Sequence, residues 1–257
     1  MPLFMAISGF LYALSRPLPL GVLARKKFLR LMIPYISISG LVLFAKWMAE
    51  KLHFSLQYPL KPGDLLAFLL YPPSGFACFL WFIYTLFLIF VLVRVLEKAR
   101  TPWVVLFLMA LGLSMIPLPQ VFCLNLVGAN GVYFVFGMGL KRFFAMEFWD
   151  ESEKEWALLG GSLAGFLALA WLMLCRGARG TILQEIVAFF GILFCWFLAR
   201  RISGWRGGTA WTWIGASSSA IYLLHTICMG GVRYVWEHWL GANAGYSPIF
   251  YFGVAVL

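Results

Sequence analysis

The chain has 257 residues, 63% of them hydrophobic and only 12% charged, with a formal net charge of +10 and a mean hydropathy of +0.88. A soluble domain carries about 25% charged residues, so this composition excludes a water-soluble globular protein and indicates an integral membrane protein. The excess of cations does not indicate a nucleic-acid partner, because the basic residues sit in short connections between apolar blocks and form no recognition face.

Apolar segments are expected at 2–14, 31–49, 77–96, 103–118, 123–140, 157–175, 182–199, 211–229 and 246–257. Most are long enough to cross a ~30 Å hydrocarbon layer as helices, and the first and last are short for it. Strands of a transmembrane barrel would alternate in polarity over about ten residues, and these blocks do not. The expected fold is therefore all-α, a polytopic transmembrane bundle of about nine segments, forming a single domain over 1–257.

Segment 2–14 opens at Met1 with no basic residues ahead of it and no small-residue cleavage site after it, so a secretory signal peptide does not fit. Ser8 and Gly9 interrupt it, as close helix packing requires. Its following connection carries Arg16, Arg25, Lys26, Lys27 and Arg30. The connections after the third, fifth and seventh segments carry Arg94, Lys98 and Arg100, then Lys141, Arg142 and Lys154, then Arg200, Arg201 and Arg206. Fourteen of the twenty basic residues thus fall in alternate connections, which puts these in the cytoplasm and Met1 outside. A chain beginning on the outer side implies an inbound helix before it. With the apolar end "FYFGVAVL", this gives the expectation of truncation at both ends.

The cluster Arg25, Lys26, Lys27 and Arg30 has two readings. It fits the phosphates of a nucleotide donor, through short charge-assisted bonds, and it equally fits an anchor on anionic lipid. The loop 51–76 holds Pro59, Pro62, Gly63, Pro72, Pro73 and Gly75, which disfavours continuous helix and predicts an irregular cover over the outer mouth. Trp81 and Tyr84 stand near the outer third of the third segment, as belt aromatics do. Asn125 and Asn130 make the fifth segment polar, so their amides must bond across helices or line a cavity. The loop "MEFWDESEKEWALL" reads as a solvated stretch carrying a short surface helix. Glu185, one turn into the seventh segment, reads as an interfacial residue reaching water in preference to an outer-cavity acid.

His225, in "SSSAIYLLHTICMGG", is an ionisable group inside a spanning segment, where it faces the bundle interior or a wet cavity. It serves either as a general base or orienting donor, or as a packing hydrogen bond. Ser217, Ser218 and Ser219 before it favour close helix contact. Cys78, Cys123, Cys175, Cys195 and Cys228 form no CxxC pair and no metal spacing, so no metal is expected. No phosphate-binding loop, nucleophile elbow or zinc-protease motif occurs. The residues alone leave the chemistry open.

Five stretches in order resemble motifs of the membrane-bound acyltransferase 3 family. These are "MPLFMAISGFLY", with its proline and aromatic run into Ser-Gly-Phe, "RKKFLRLMIPY", "FLWFIYTLF", "YFVFGMGLKR" and "SSSAIYLLHT". The resemblance covers nearly the whole chain. It implies a bundle of about ten helices in the inner membrane that transfers an acyl group, usually acetyl from acetyl-CoA, to a hydroxyl of a cell-surface or lipid-linked glycan. It also implies a phosphate-binding role for Arg25, Lys26, Lys27 and Arg30, and cavity roles for Ser8, Trp81, Tyr84, Asn130 and His225. The family's first helix, with its arginine and its histidine for acyl transfer, has no counterpart in this sequence. Loss of such a base lowers the rate by roughly 10² to 10⁴, which leaves His225 as the internal catalytic candidate. An inactive fragment is one alternative. A transporter or flippase for a surface polysaccharide is another, and it predicts helices broken at the midplane and an internal repeat.

Overall fold

A computed structural model describes residues 1–51, 63, 68, 70–74, 78–144, 152–177, 180–202, 212–218, 221–223 and 232. These residues are helical with short connections and, among them, there is no strand. The chain divides into two compact units, Met1–Ser203 and Gly204–Leu257. In the second, 212–218 and 221–223 are helical. His225, His53, His238 and segment 246–257 lie outside the described residues.

In the first unit, α1 spans Pro2–Leu14, with proline in its first turn, where the missing N–H is not needed. It stops at Ser15, whose backbone turns extended and whose hydroxyl donates to the Leu11 carbonyl at 2.8 Å. The prolines that follow, Pro17 and Pro19, prevent its continuation.

The basic cluster lies in the first turns of the next helix, which begins ahead of the apolar segment 31–49. Helix α2 (Leu20–Lys27) passes through a π-helical turn (Phe28–Met32) into α3 (Ile33–Lys51). Leucine, arginine and lysine are all good helix formers, so the charged stretch extends the helix toward its amino end. The π-turn has a local cause in Pro34. Its ring crowds the carbonyl of Arg30 and offers no N–H to it, and a wider turn relieves the clash.

Helix α4 (Trp81–Lys98) follows a 3-10 turn at Cys78–Leu80. It closes with Arg100 in the left-handed region (φ 58°), the Arg100 N–H donating to the Glu97 carbonyl at 2.9 Å. Pro102 then starts α5 (Trp103–Met115), three residues shorter at its far end than expected. Helix α6 (Leu124–Phe144) enters through a 3-10 turn in which Phe122 and Cys123 have φ of 53° and 55°. Helices α7 (Ser152–Arg176) and α8 (Thr181–Ile202) complete the unit. Residues 145–151 lie outside the described set, and the rest of the acidic loop, from Ser152, forms the start of α7.

Among the described residues, four helical stretches are long and apolar enough to cross a membrane: Leu20–Met48, Val121–Phe143, Lys154–Cys175 and Thr181–Ile202. Burial separates them. The apolar window of the α6 span is 56% buried against 6% for α7, so α6 is the central post and α7 lies at the rim. Trp171 and Leu174 of α7 are exposed, as lipid-facing side chains are.

Two glycines fix the centre. A Cβ on Gly9 of α1 would lie 1.9 Å from the Phe134 carbonyl oxygen of α6, and one on Gly137 of α6 would lie 1.9 Å from the Ala6 oxygen of α1. The two helices therefore touch backbone to backbone, and only glycine fits at either position. Phe134, fully buried, meets Phe90 of α4 edge-on at 5.1 Å and Tyr12 of α1 at 5.8 Å. At the rim, α7 and α8 meet differently. Phe190 covers Gly165, and Phe166 covers Gly191.

The described parts of the loop after α3 return to the bundle. Tyr35 of α3 donates its hydroxyl to the Phe68 carbonyl at 2.7 Å and stacks on that ring at 4.9 Å. Asn125 of α6 donates to the Tyr71 hydroxyl at 3.3 Å. Glu185 does not reach water. It is 4% exposed in α8, with its carboxyl beside Tyr133 and Ser114. The physical reason is packing, since α8 lays Phe189 against Tyr133 and Phe136 of α6 and carries the residue one turn earlier inward.

Candidate functional site: a basic cleft

The alternation of basic connections has a spatial counterpart within the first unit. The Lys141 ammonium of α6 donates to the Ala13 carbonyl at the end of α1 (2.7 Å), and Arg200 of α8 pairs with Glu155 of α7 at 2.7 Å. The ends of α1 and α6 thus lie side by side. Between them, α2 and the junction of α4 and α5 opens a cleft of about 540 Å³, a size suited to a small ligand.

Six cations line it, and among the described residues one carboxylate does. Lys26, Lys27 and Arg30 come from α2 and the π-turn, Arg16 from the turn after α1, and Lys141 and Arg142 from the end of α6. The carboxylate is Glu97 of α4. It accepts a hydrogen bond from the Tyr12 hydroxyl at 2.5 Å and an ion-paired bond from Arg94 at 3.1 Å on the same oxygen. Arg94 offsets its charge from within the wall, so the six cations dominate the field inside the cleft.

Two of the cations are placed by separate local causes. Lys27 is half-buried, its ammonium 3.5 Å from the centre of the Phe90 ring, an attraction that holds it over an aromatic face. Lys141 satisfies a carbonyl left open by the last turn of α1 and complements the negative end of that helix. Trp103 of α5 also lines the cleft, fixed by a hydrogen bond from its indole N–H to the Val135 carbonyl at 2.8 Å and by Gly139, where a Cβ would lie 2.2 Å from the ring. Thr101 closes the α4–α5 corner through its hydroxyl bond to the Leu96 carbonyl at 2.9 Å. The arrangement has the charge and shape to suit a polyanion. Several fixed cations on converging walls make charge-assisted bonds to phosphate oxygens without reorganising.

Of the basic quartet expected from the sequence, three residues line the cleft, and Arg25 lies exposed on α2 outside the lining. None of the four cavity candidates lines it. Ser8 is half-buried on α1, Trp81 stands at the start of α4 with its ring edge-on to Phe82, and Tyr84 lies 5.8 Å from the Tyr35 ring. Asn130 donates to the Leu126 carbonyl of its own helix at 2.9 Å. Its amide N–H therefore neither crosses to another helix nor opens into the cleft. His225, the catalytic candidate, lies outside the described residues.

Arg16, Lys141, Arg142, Tyr12 and Glu97 are cleft residues that the sequence did not mark. The cations had been accounted for by topology alone. Their common signal was position, each falling within a turn or so of a helix end in a basic connection.

The fold and cleft define a polytopic helical membrane protein with a cation-lined cleft at the basic end of the bundle. The sequence profile of the acyltransferase 3 family, described as an acyltransferase domain, matches residues 1–257. The chain belongs to that family, and its class of chemistry is acyl transfer. No curated protein and no solved structure matches it.

Proposed function

We propose that the protein transfers an acyl group, acetyl in the simplest case, from an acyl-CoA to a hydroxyl of a cell-surface or lipid-linked glycan at the cell's inner membrane. The observation that carries the donor is the cleft, with six cations and one already-paired carboxylate. An acyl-CoA brings a diphosphate and a phosphate monoester on a nucleotide, with the reactive thioester at the end of a flexible arm. Lys26, Lys27 and Arg30 hold the diphosphate, and the arm runs inward past half-buried Lys27. The basic end of the bundle faces the cytoplasm, where the donor is made, as the loop charges require.

The acceptor hydroxyl arrives from the opposite end, beneath the loop that packs on Tyr35 and Asn125. Ser8, Trp81, Tyr84 and Asn130, all outside the cleft, are assigned to that path. The hydroxyl oxygen attacks the thioester carbonyl, a C–O bond forms, the C–S bond breaks and the coenzyme leaves as its thiolate. The hydroxyl proton passes to a base, for which His225 is the candidate within this sequence.

Binding of coenzyme A to the purified protein in detergent, followed by calorimetry, tests the donor. Lys27→Gln and Arg30→Gln each lower the affinity by about tenfold or more, as loss of a charge-assisted bond does. Lys51→Gln, at the far end of α3, leaves it within about twofold. Transfer of radiolabelled acetyl to envelope glycans tests the acceptor. A protein that neither binds coenzyme A nor moves its acetyl group refutes the proposal.

A further inference from the structure

The cleft holds more positive charge than a diphosphate matches, and its cations fall into two groups of different origin, one of which holds the single half-buried cation, Lys27. Lys26, Lys27 and Arg30 share one helix, and half-buried Lys27 reaches furthest in. Arg16, Lys141 and Arg142 are exposed at the mouth, where the ends of α1 and α6 are tied by the bond from Lys141 to the Ala13 carbonyl. A diphosphate carries about two negative charges and a phosphate monoester about two more.

We infer that Arg16, Lys141 and Arg142 form a second anion subsite, which takes the 3′-phosphate on the donor's ribose and so selects coenzyme A over its 3′-dephospho form. This rests on the acyl-CoA reading. The assignment of walls follows from connectivity within the donor. The acyl-bearing arm leaves from the diphosphate and must point into the bundle, so the diphosphate belongs with the group that contains half-buried Lys27. The 3′-phosphate lies on the far side of the ribose from that arm and falls at the mouth. The mouth wall exists only because α1 and α6 cross in contact at Gly9 and Gly137, which brings residue 16 and residues 141–142 together.

The experiment compares dissociation constants of coenzyme A and 3′-dephospho-coenzyme A for the protein in detergent. The wild type is expected to prefer coenzyme A by about tenfold or more, the value of one or two charge-assisted bonds. Arg16→Gln combined with Arg142→Gln is expected to bring that ratio near one while dephospho-coenzyme A binds as before, which also shows that the variant is folded. Lys141 is left intact because it also caps α1. Lys26→Gln is expected to weaken both ligands equally and preserve the ratio. Equal binding of both ligands by the wild type, or a ratio unchanged in the double variant, overturns the subsite and leaves the donor proposal standing; the mouth cations are then membrane anchors. Failure of the wild type to bind either ligand overturns both.

Discussion

The α1–α6 crossing and the α7–α8 hairpin both use paired glycines, to different ends. At the centre the neighbour of each glycine is the other helix's backbone, at 1.9 Å from a would-be methyl. At the rim the neighbour is a phenylalanine ring, 2.6 Å from a methyl on Gly165 and 3.3 Å from one on Gly191. A backbone oxygen moves only if the whole helix moves, whereas a ring turns about its own bonds. The central pair therefore fixes helix position, and the rim pair fills notches. Only the central pair also positions a site, since the two helices it joins supply the mouth of the cleft.

Substitutions grade this difference. The largest effect is expected from Gly9→Ala or Gly137→Ala. To restore a contact distance of roughly 3.5 Å, the helices must part by more than 1 Å, at a cost of about 3 kcal/mol or more. Thermal unfolding in detergent should show this, and coenzyme A binding should fall with it. Gly165→Ala should cost about 1 to 2 kcal/mol as the Phe190 ring gives way, with coenzyme A affinity unchanged. The smallest effect is expected from Gly191→Ala. Its 3.3 Å contact is nearly tolerable, and alanine's better helix propensity offsets the rest, leaving stability within about 0.5 kcal/mol. Equal losses at Gly9 and Gly191 would erase the distinction, and a Gly165 variant defective in coenzyme A binding would place the rim hairpin in the site.

How far the sequence could be read depended on how local each feature is. The end of segment 2–14 was legible to the residue because prolines close it there. For the next helix the apolar segment marked only the part from Leu31, and the helix itself begins earlier, at Leu20. The apolar period marks what faces lipid, and the charged turns of a helix that stand at the membrane surface are invisible to it. Glu185 was misread for the opposite reason. Its depth along α8 was clear, but whether it faced lipid headgroups or Tyr133 depended on a neighbouring helix.

The same division holds for the site. Lys26, Lys27 and Arg30 could be grouped from the sequence because three or four residues' spacing puts them on one helical face. Arg16 and Arg142 stand 126 positions apart, as their numbers show, and nothing in either neighbourhood refers to the other. Composition and periodicity by themselves determined that the protein is helical, lies in a membrane and gathers its cations at one end, because hydropathy and charge act residue by residue. Only the tertiary structure decided which cations share a cleft and which glycines could not be anything else. Those properties arise where two helices distant in sequence touch, and contact depends on the path of the whole chain.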